Sequence, residues 1–236
     1  MRPMLNLVLQ LCVFFLIGAG VPKTGKEALQ PLQALVGTWK ATGTPEGTRE
    51  EKQKGFWSEG IGCAWQFKGP DVFLQFTFDK GKHFTKADLR YLPETKIYEL
   101  TAITSGNDKE VFTGTLTEGK QKEQVLTLDR STKTETQRLV VTILHSNRFL
   151  YRFETKPLDS TSFTRKYQVG ATKEGEPFAN VGKGNECIVS GGRGTIAVTH
   201  AGKTYYVCCS GCKDAFKDDP ETYIKEYEAK LKKEKK

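Results

Sequence analysis

Between residues 32 and 169 the chain repeatedly alternates between two faces. Val72, Leu74, Phe76 and Phe78 alternate with Phe73, Gln75 and Thr77. Leu139, Val141 and Ile143 alternate with Val140, Thr142 and Leu144, and Phe149, Tyr151 and Phe153 with Leu150, Arg152 and Glu154. A period of two belongs to strands, because successive side chains leave opposite faces of a pleated backbone. Turn-forming clusters punctuate the runs: Lys80-Gly81-Lys82, Pro93-Glu94, Ser105-Gly106-Asn107, Glu118-Gly119-Lys120, Ser146-Asn147 and Pro157-Leu158-Asp159. The pattern predicts nine or ten strands joined by short antiparallel connections, with no helix between them. So many strands leave two exposed edges unless the sheet closes, which favours an up-and-down barrel.

The ends of the chain are different in kind. Arg2, an apolar run over residues 5–17 and the small residues Gly18-Ala19-Gly20 have the layout of a secretory signal, assigned to residues 1–20. The apolar run is short for a membrane span. The expectation is an exported protein, periplasmic or secreted, with no membrane span after cleavage. At the other end, five of the last seven residues are lysines, which inflates the formal net charge of +8. A basic run over residues 232–236 reads as a solvated helix end, not as a nucleic-acid contact.

Gly37-Thr38-Trp39 follows a short helical lead-in around residues 29–35. This start resembles that of lipocalin-like (calycin-type) barrels. The resemblance implies that Trp39 plugs one end of a barrel over residues 29–169, covered by a basic side chain of the last strand, for which Arg165 is the candidate. Residues 170–186 are rich in Gly, Lys and Glu without apolar periodicity and read as a linker.

Beyond the linker lie Cys187, Cys208, Cys209 and Cys212. Thr195–His200 and Lys203–Cys208 are β-prone runs separated by Ala201-Gly202, a two-residue hairpin turn. That turn sets His200 opposite Lys203 and leaves Cys208 at the open end of the hairpin. Ser190-Gly191-Gly192-Arg193-Gly194 lets Cys187 fold back towards it. Ser210-Gly211 ends the strand, and Cys212 falls near a helix N-terminus, where backbone dipoles favour a thiolate. Asp219-Pro220-Glu221 is a strong start for a second helix, with Tyr223, Ile224, Tyr227 and Leu231 as its apolar stripe. A unit this small, residues 187–231, needs a staple such as a metal.

The spacing Cys187-x20-Cys208-x3-Cys212, with Gly202-Lys203-Thr204-Tyr205-Tyr206, Phe216 and Asp219-Pro220-Glu221, resembles a TRASH/YHS-type metal-binding module. Ile188 departs from the pattern, since many relatives have Pro after the first cysteine. The resemblance implies a small α+β, treble-clef-like unit linked to copper or heavy-metal handling, with Cys187, Cys208 and Cys212 as ligands. Cys209 is a fourth candidate only if the chain turns after Cys208, because in a continuing strand it faces away. His200 stands about 16 Å from Cys208 along the strand and is not a ligand.

The composite expectation is a mainly β protein, with a lipocalin-like barrel followed by a thiolate module holding one Zn(II) or Cu(I) per chain. Its role is metal sequestration, trafficking or sensing, and no catalytic constellation points to an enzyme. Two other readings stand beside it. One is a barrel that binds a small apolar ligand, with the module stapled by disulfides, as export would allow. The other is thiol–disulfide exchange through Cys209-Ser210-Gly211-Cys212. Cys63 reads as a small buried apolar residue. His145 shares the parity of Leu139, Val141 and Ile143, which leaves the barrel interior open to it, but near a hairpin end a rim histidine is the favoured reading.

Overall fold

The computed structural model describes residues 24–175 and 185–234. The assigned signal, most of the assigned linker and the last two residues lie outside them. Ten strands make up the first unit: β1 (Gly37–Pro45), β2 (Trp57–Lys68), β3 (Asp71–Asp79), β4 (Phe84–Leu92), β5 (Ile97–Thr104), β6 (Lys109–Glu118), β7 (Gln124–Ser131), β8 (Glu135–His145), β9 (Arg148–Pro157) and β10 (Thr164–Lys173). Each pairs antiparallel with the next, and β10 returns to β1, so the sheet is a closed up-and-down barrel. One short helix, α2 (Arg49–Gly55), does lie between β1 and β2, against the expectation of none, started by a capping box between Thr48 and Glu51. A hairpin, β11 (Ile196–His200) and β12 (Lys203–Val207), and two helices form the small α+β unit.

The lead-in explains how one end of the barrel is sealed. Helix α1 (Gly25–Leu29) starts at a capping box in which Thr24 and Glu27 satisfy each other's backbone amides. It runs into a 3-10 helix, Gln30–Leu35, with Pro31 in its first turn. A 3-10 helix repeats every three residues, so Leu29, Leu32 and Leu35 share a face, and all three are buried. Gln30 and Gln33 share another. The leucine face enters the barrel end beside Trp39, whose indole donates to Leu35 O at 2.8 Å and meets Phe149 edge-on at 4.7 Å.

Trp39 is thus the plug that the resemblance implied, but Arg165 does not cover it. Lys173 does: its Nζ lies 5.1 Å from the Trp39 ring centre and donates to Ala34 O at 3.3 Å. The register decides this, since Trp39 pairs with Lys173 in the β1–β10 ladder. Arg165 is eight residues away, about 26 Å along the strand. It pairs with Glu46 and Gln168 near the far end.

His145 ends β8 and lies on the rim, exposed, the placement favoured from the sequence. The β8–β9 register shifts between Ile143 and His145, and the bulge turns His145 out to solvent. Inside, Phe76 and Phe78 of β3 and Leu139 and Val141 of β8 line a wholly apolar cavity of about 60 Å³. A cavity of roughly 150 Å³ accommodates benzene, so this barrel interior is filled mainly by its own aromatic and aliphatic side chains. Among the described residues no helix is long and apolar enough to cross a membrane.

Candidate metal centre

The hairpin forms in the register set by its turn. His200 pairs with Lys203 and Ile196 with Val207, and Ala201 and Gly202 both take positive φ (47° and 75°). Two successive positive φ values match the right-handed twist of the strands. Cys208 follows β12 directly. Cys187 is fixed beside the same strand by a bridge to Tyr206, and Ile188 N donates to Tyr206 O at 2.9 Å. The following turn closes through Cys187 N to Gly192 O (2.6 Å) and Gly191 N to Cys187 O (2.8 Å), with Gly191 at φ 73°. The third element is helix α3 (Ser210–Asp218), with Cys209 as its N-cap and Cys212 in its first turn. Helix α4 (Pro220–Glu234) follows, its first turn capped by Asp219, which accepts from Thr222 N at 3.3 Å.

Three separate elements therefore deliver three sulfurs to one point. Sγ of Cys187, Cys208 and Cys212 all lie within 4.8 Å of one another. Cys208 Sγ is 3.5 Å from Cys212 Sγ. Thiolates around one tetrahedral Zn(II) stand about 3.8 Å apart, given Zn–S bonds near 2.3 Å, so the set fits a thiophilic ion. Cys187 and Cys212 are buried, whereas Cys208 is partly exposed. The set is closed on the protein side and open at one edge.

Cys209 stands apart from this set. The chain does turn after Cys208, because α3 begins there, and Cys209 Sγ comes within 3.8 Å of Cys208 Sγ. It is not one of the three mutually close sulfurs, however. Its sulfur accepts hydrogen bonds from the Cys212 amide and from the Trp65 amide of strand β2. Cys209 faces the barrel. The five cysteines among the described residues are free thiols. Cys63 is buried on β2 opposite Phe76, where burial, with Cys209 nearby, pushes its thiol well up.

The charges of the cluster are strongly coupled. Hydrogen bonds from Cys208 and then Cys212 hold the Cys187 and Cys209 thiols below the usual range. Cys208 and Cys212 are raised correspondingly, each chiefly by its hydrogen bond to Cys187. Ser190 supports two of the sulfurs: its backbone N–H donates to Cys187 Sγ at 3.4 Å, and its hydroxyl shares a hydrogen bond with Cys208 Sγ at 3.3 Å. Ser190 thus aims polar groups at two of the three sulfurs, which is the kind of support a metal-ligating sulfur requires.

Residues 196–227 match the YHS domain. The match takes in both hairpin strands, Cys208, Cys209 and Cys212, α3 and the first half of α4. Cys187 and the barrel lie outside it. No curated protein matches the chain. His200 is not part of the YHS site, since its ring is 3.0 Å from Glu221 Oε1 on the surface. Leu231 departs from the expected stripe and is partly exposed, while Tyr223, Ile224 and Tyr227 pack against the core.

The YHS module sits on the barrel. Gly211 of α3 rests against β2 so closely that a Cβ there would fall 1.6 Å from Trp65 O. This stretch of β2 lies beyond the last β1 pair, Gly37 with Cys63, so its amide is available to Cys209. The 3-10 helix contributes Gln33, which donates to Cys208 Sγ at 3.6 Å, and Gln30, which donates to Ser190 O. Sequence reasoning missed Gln33, Ser190 and Trp65. The one available signal was the pair of glutamines spaced by three, on the side of the lead-in away from its leucines.

Proposed function

We propose that this protein binds one thiophilic metal ion, Zn(II) or Cu(I), through Cys187, Cys208 and Cys212, and acts outside the cytoplasm to sequester or hand on that metal. The convergence of three sulfurs within 4.8 Å from three different elements carries this reading. The YHS match over Cys208 and Cys212 supports it. Cys208, the partly exposed member, is the edge at which an outside thiol or solvent completes the coordination and at which exchange takes place. Zn(II) and Cu(I) both suit such a soft donor set. The apolar run and small residues at the N-terminus support export.

Thiol–disulfide exchange is less well supported. A reactive Cys-x-x-Cys presents its first sulfur to solvent at a helix start. Here Cys212 is fully buried and Cys209 points at the backbone of β2. The protein is therefore read as a binding protein and not as an enzyme.

Elemental mass spectrometry with thiol counting tests the reading. Reduced full-length protein should hold about one metal per chain, and Cys187→Ser should lose it while the barrel still folds. Protein free of metal after loading, with Cys187→Ser behaving as wild type, would sink the idea.

A further inference from the structure

The thiolate site does not end at the YHS module. Two barrel elements direct donors at its sulfurs. The 3-10 helix presents Gln33 to Cys208, and strand β2 presents the Trp65 amide to Cys209. The orientation of Gln33 is fixed by chemistry. Trp65 Nε1 lies 2.7 Å from Gln33 Oε1, and an indole nitrogen can only donate. Trp65 is fully buried, so that N–H needs its acceptor. The amide oxygen is thereby committed to Trp65, and the NH₂ group must face the sulfur of Cys208. Gly192 leaves room for this approach, since a Cβ there would fall 2.2 Å from Gln33 Nε2.

The other face of the same helix seals the barrel. Leu29, Leu32 and Leu35 are buried in its end, and Leu35 O receives the indole of Trp39. One short helix thus has its apolar face in the barrel and its amide face on the thiolates. Gln30 reinforces the amide side by donating to Ser190 O, and Ser190 itself donates to Cys187.

We propose that Gln33 is a positioning residue of the thiolate site, orienting Cys208 from the barrel side, and that metal binding in turn fastens the barrel's sealing helix to the YHS module. The inference rests on the metal-binding reading above. A donor to a ligating atom fixes its direction and spreads its charge, and loss of such a donor typically weakens metal binding by about 10–100-fold. Binding is linked reciprocally to order in the donor's own helix.

Co(II) is the probe, used on the full chain with wild type and Gln33→Glu. The carboxylate keeps an acceptor for Trp65 but has no N–H for Cys208, so apo folding is spared while the donor is lost. Gln33→Glu should bind Co(II) about tenfold or more weakly, with a shifted thiolate-to-cobalt charge-transfer band. Amide hydrogen exchange at residues 32–36 should slow on Co(II) addition in wild type and change far less in Gln33→Glu. Unchanged affinity and band in Gln33→Glu overturn the positioning role. A metal-dependent slowing that persists in Gln33→Glu overturns the fastening. If wild type takes up no Co(II), the metal reading fails first and this inference falls with it.

Discussion

Gly211 shows how tightly the two units are pressed together. Its hypothetical Cβ would lie 1.6 Å from Trp65 O and 2.7 Å from Trp65 C, and both are backbone atoms of a barrel strand. No rotamer change relieves a clash with backbone, so Gly211→Ala must push α3 off β2. Overpacking of this kind costs about 1–3 kcal/mol. Urea unfolding should show a midpoint lowered accordingly, together with a weaker hold on metal, because Cys212 moves with the helix. A second test concerns Trp39. Lys173→Met removes a cation over the indole and a hydrogen bond to Ala34 O, at a cost of about 1–2 kcal/mol. Arg165→Ala breaks only exposed contacts and should leave the thermal midpoint nearly unchanged. The reverse ranking would return the cover over Trp39 to Arg165.

Individual elements differ in how plainly the sequence announces them. The strands of the barrel were legible because a half-buried strand must alternate, and β3, β8 and β9 do so over six or more residues. The hairpin was legible because Ala201-Gly202 dictates its register. What escaped notice depends on partners distant in sequence. The bulge before His145 breaks a parity that sequence alone extends unbroken. The cover over Trp39 depends on where β10 ends, which the run of Gly and Lys after Val169 concealed. The direction of Cys209 is set by β2, which lies more than 140 residues earlier. The loop between β3 and β4 supplies a prediction of its own. It stacks His83 on Tyr167 with centroids 3.9 Å apart, and against Trp57 at 5.2 Å. Burial, with Lys82 adjacent, lowers the His83 pKa below 6.5, and Glu59 opposes this only in part. The folded state therefore takes up its proton less readily than the unfolded chain. This contribution to stability is complete above about pH 6.5 and is lost as pH falls through the folded-state value. Melting curves should fall between pH 7.5 and 5.5, and His83→Phe should flatten that slope. An equal slope in the variant would remove His83 as the cause.

At the scale of the whole molecule, the question is whether barrel and YHS module unfold as one body. A module of about 45 residues buries too little apolar surface to be secure alone. Here it gains a barrel wall against α3, donors from Gln33 and the Trp65 amide, and contacts of Gln30 with its cysteine turn. The barrel gains a cover over its sealing helix. A metal bound to the folded module alone stabilises it by RT ln(1 + [M]/Kd), about 4 kcal/mol at a thousandfold excess over Kd. If the units are separate, that energy stays in the module and the barrel melts at its own temperature. With the sealing helix shared, part of it must reach the barrel. Stripping the metal with a chelator should then lower the melting of the barrel aromatics, followed by near-ultraviolet circular dichroism, along with that of the module. Gly211→Ala, which parts the two surfaces, should uncouple them, so that the chelator moves the module transition and leaves the barrel where it was. A barrel signal indifferent to chelator in wild type would mean that the two units merely touch, and that Trp65 and Gln33 are neighbours of the site without a share in it.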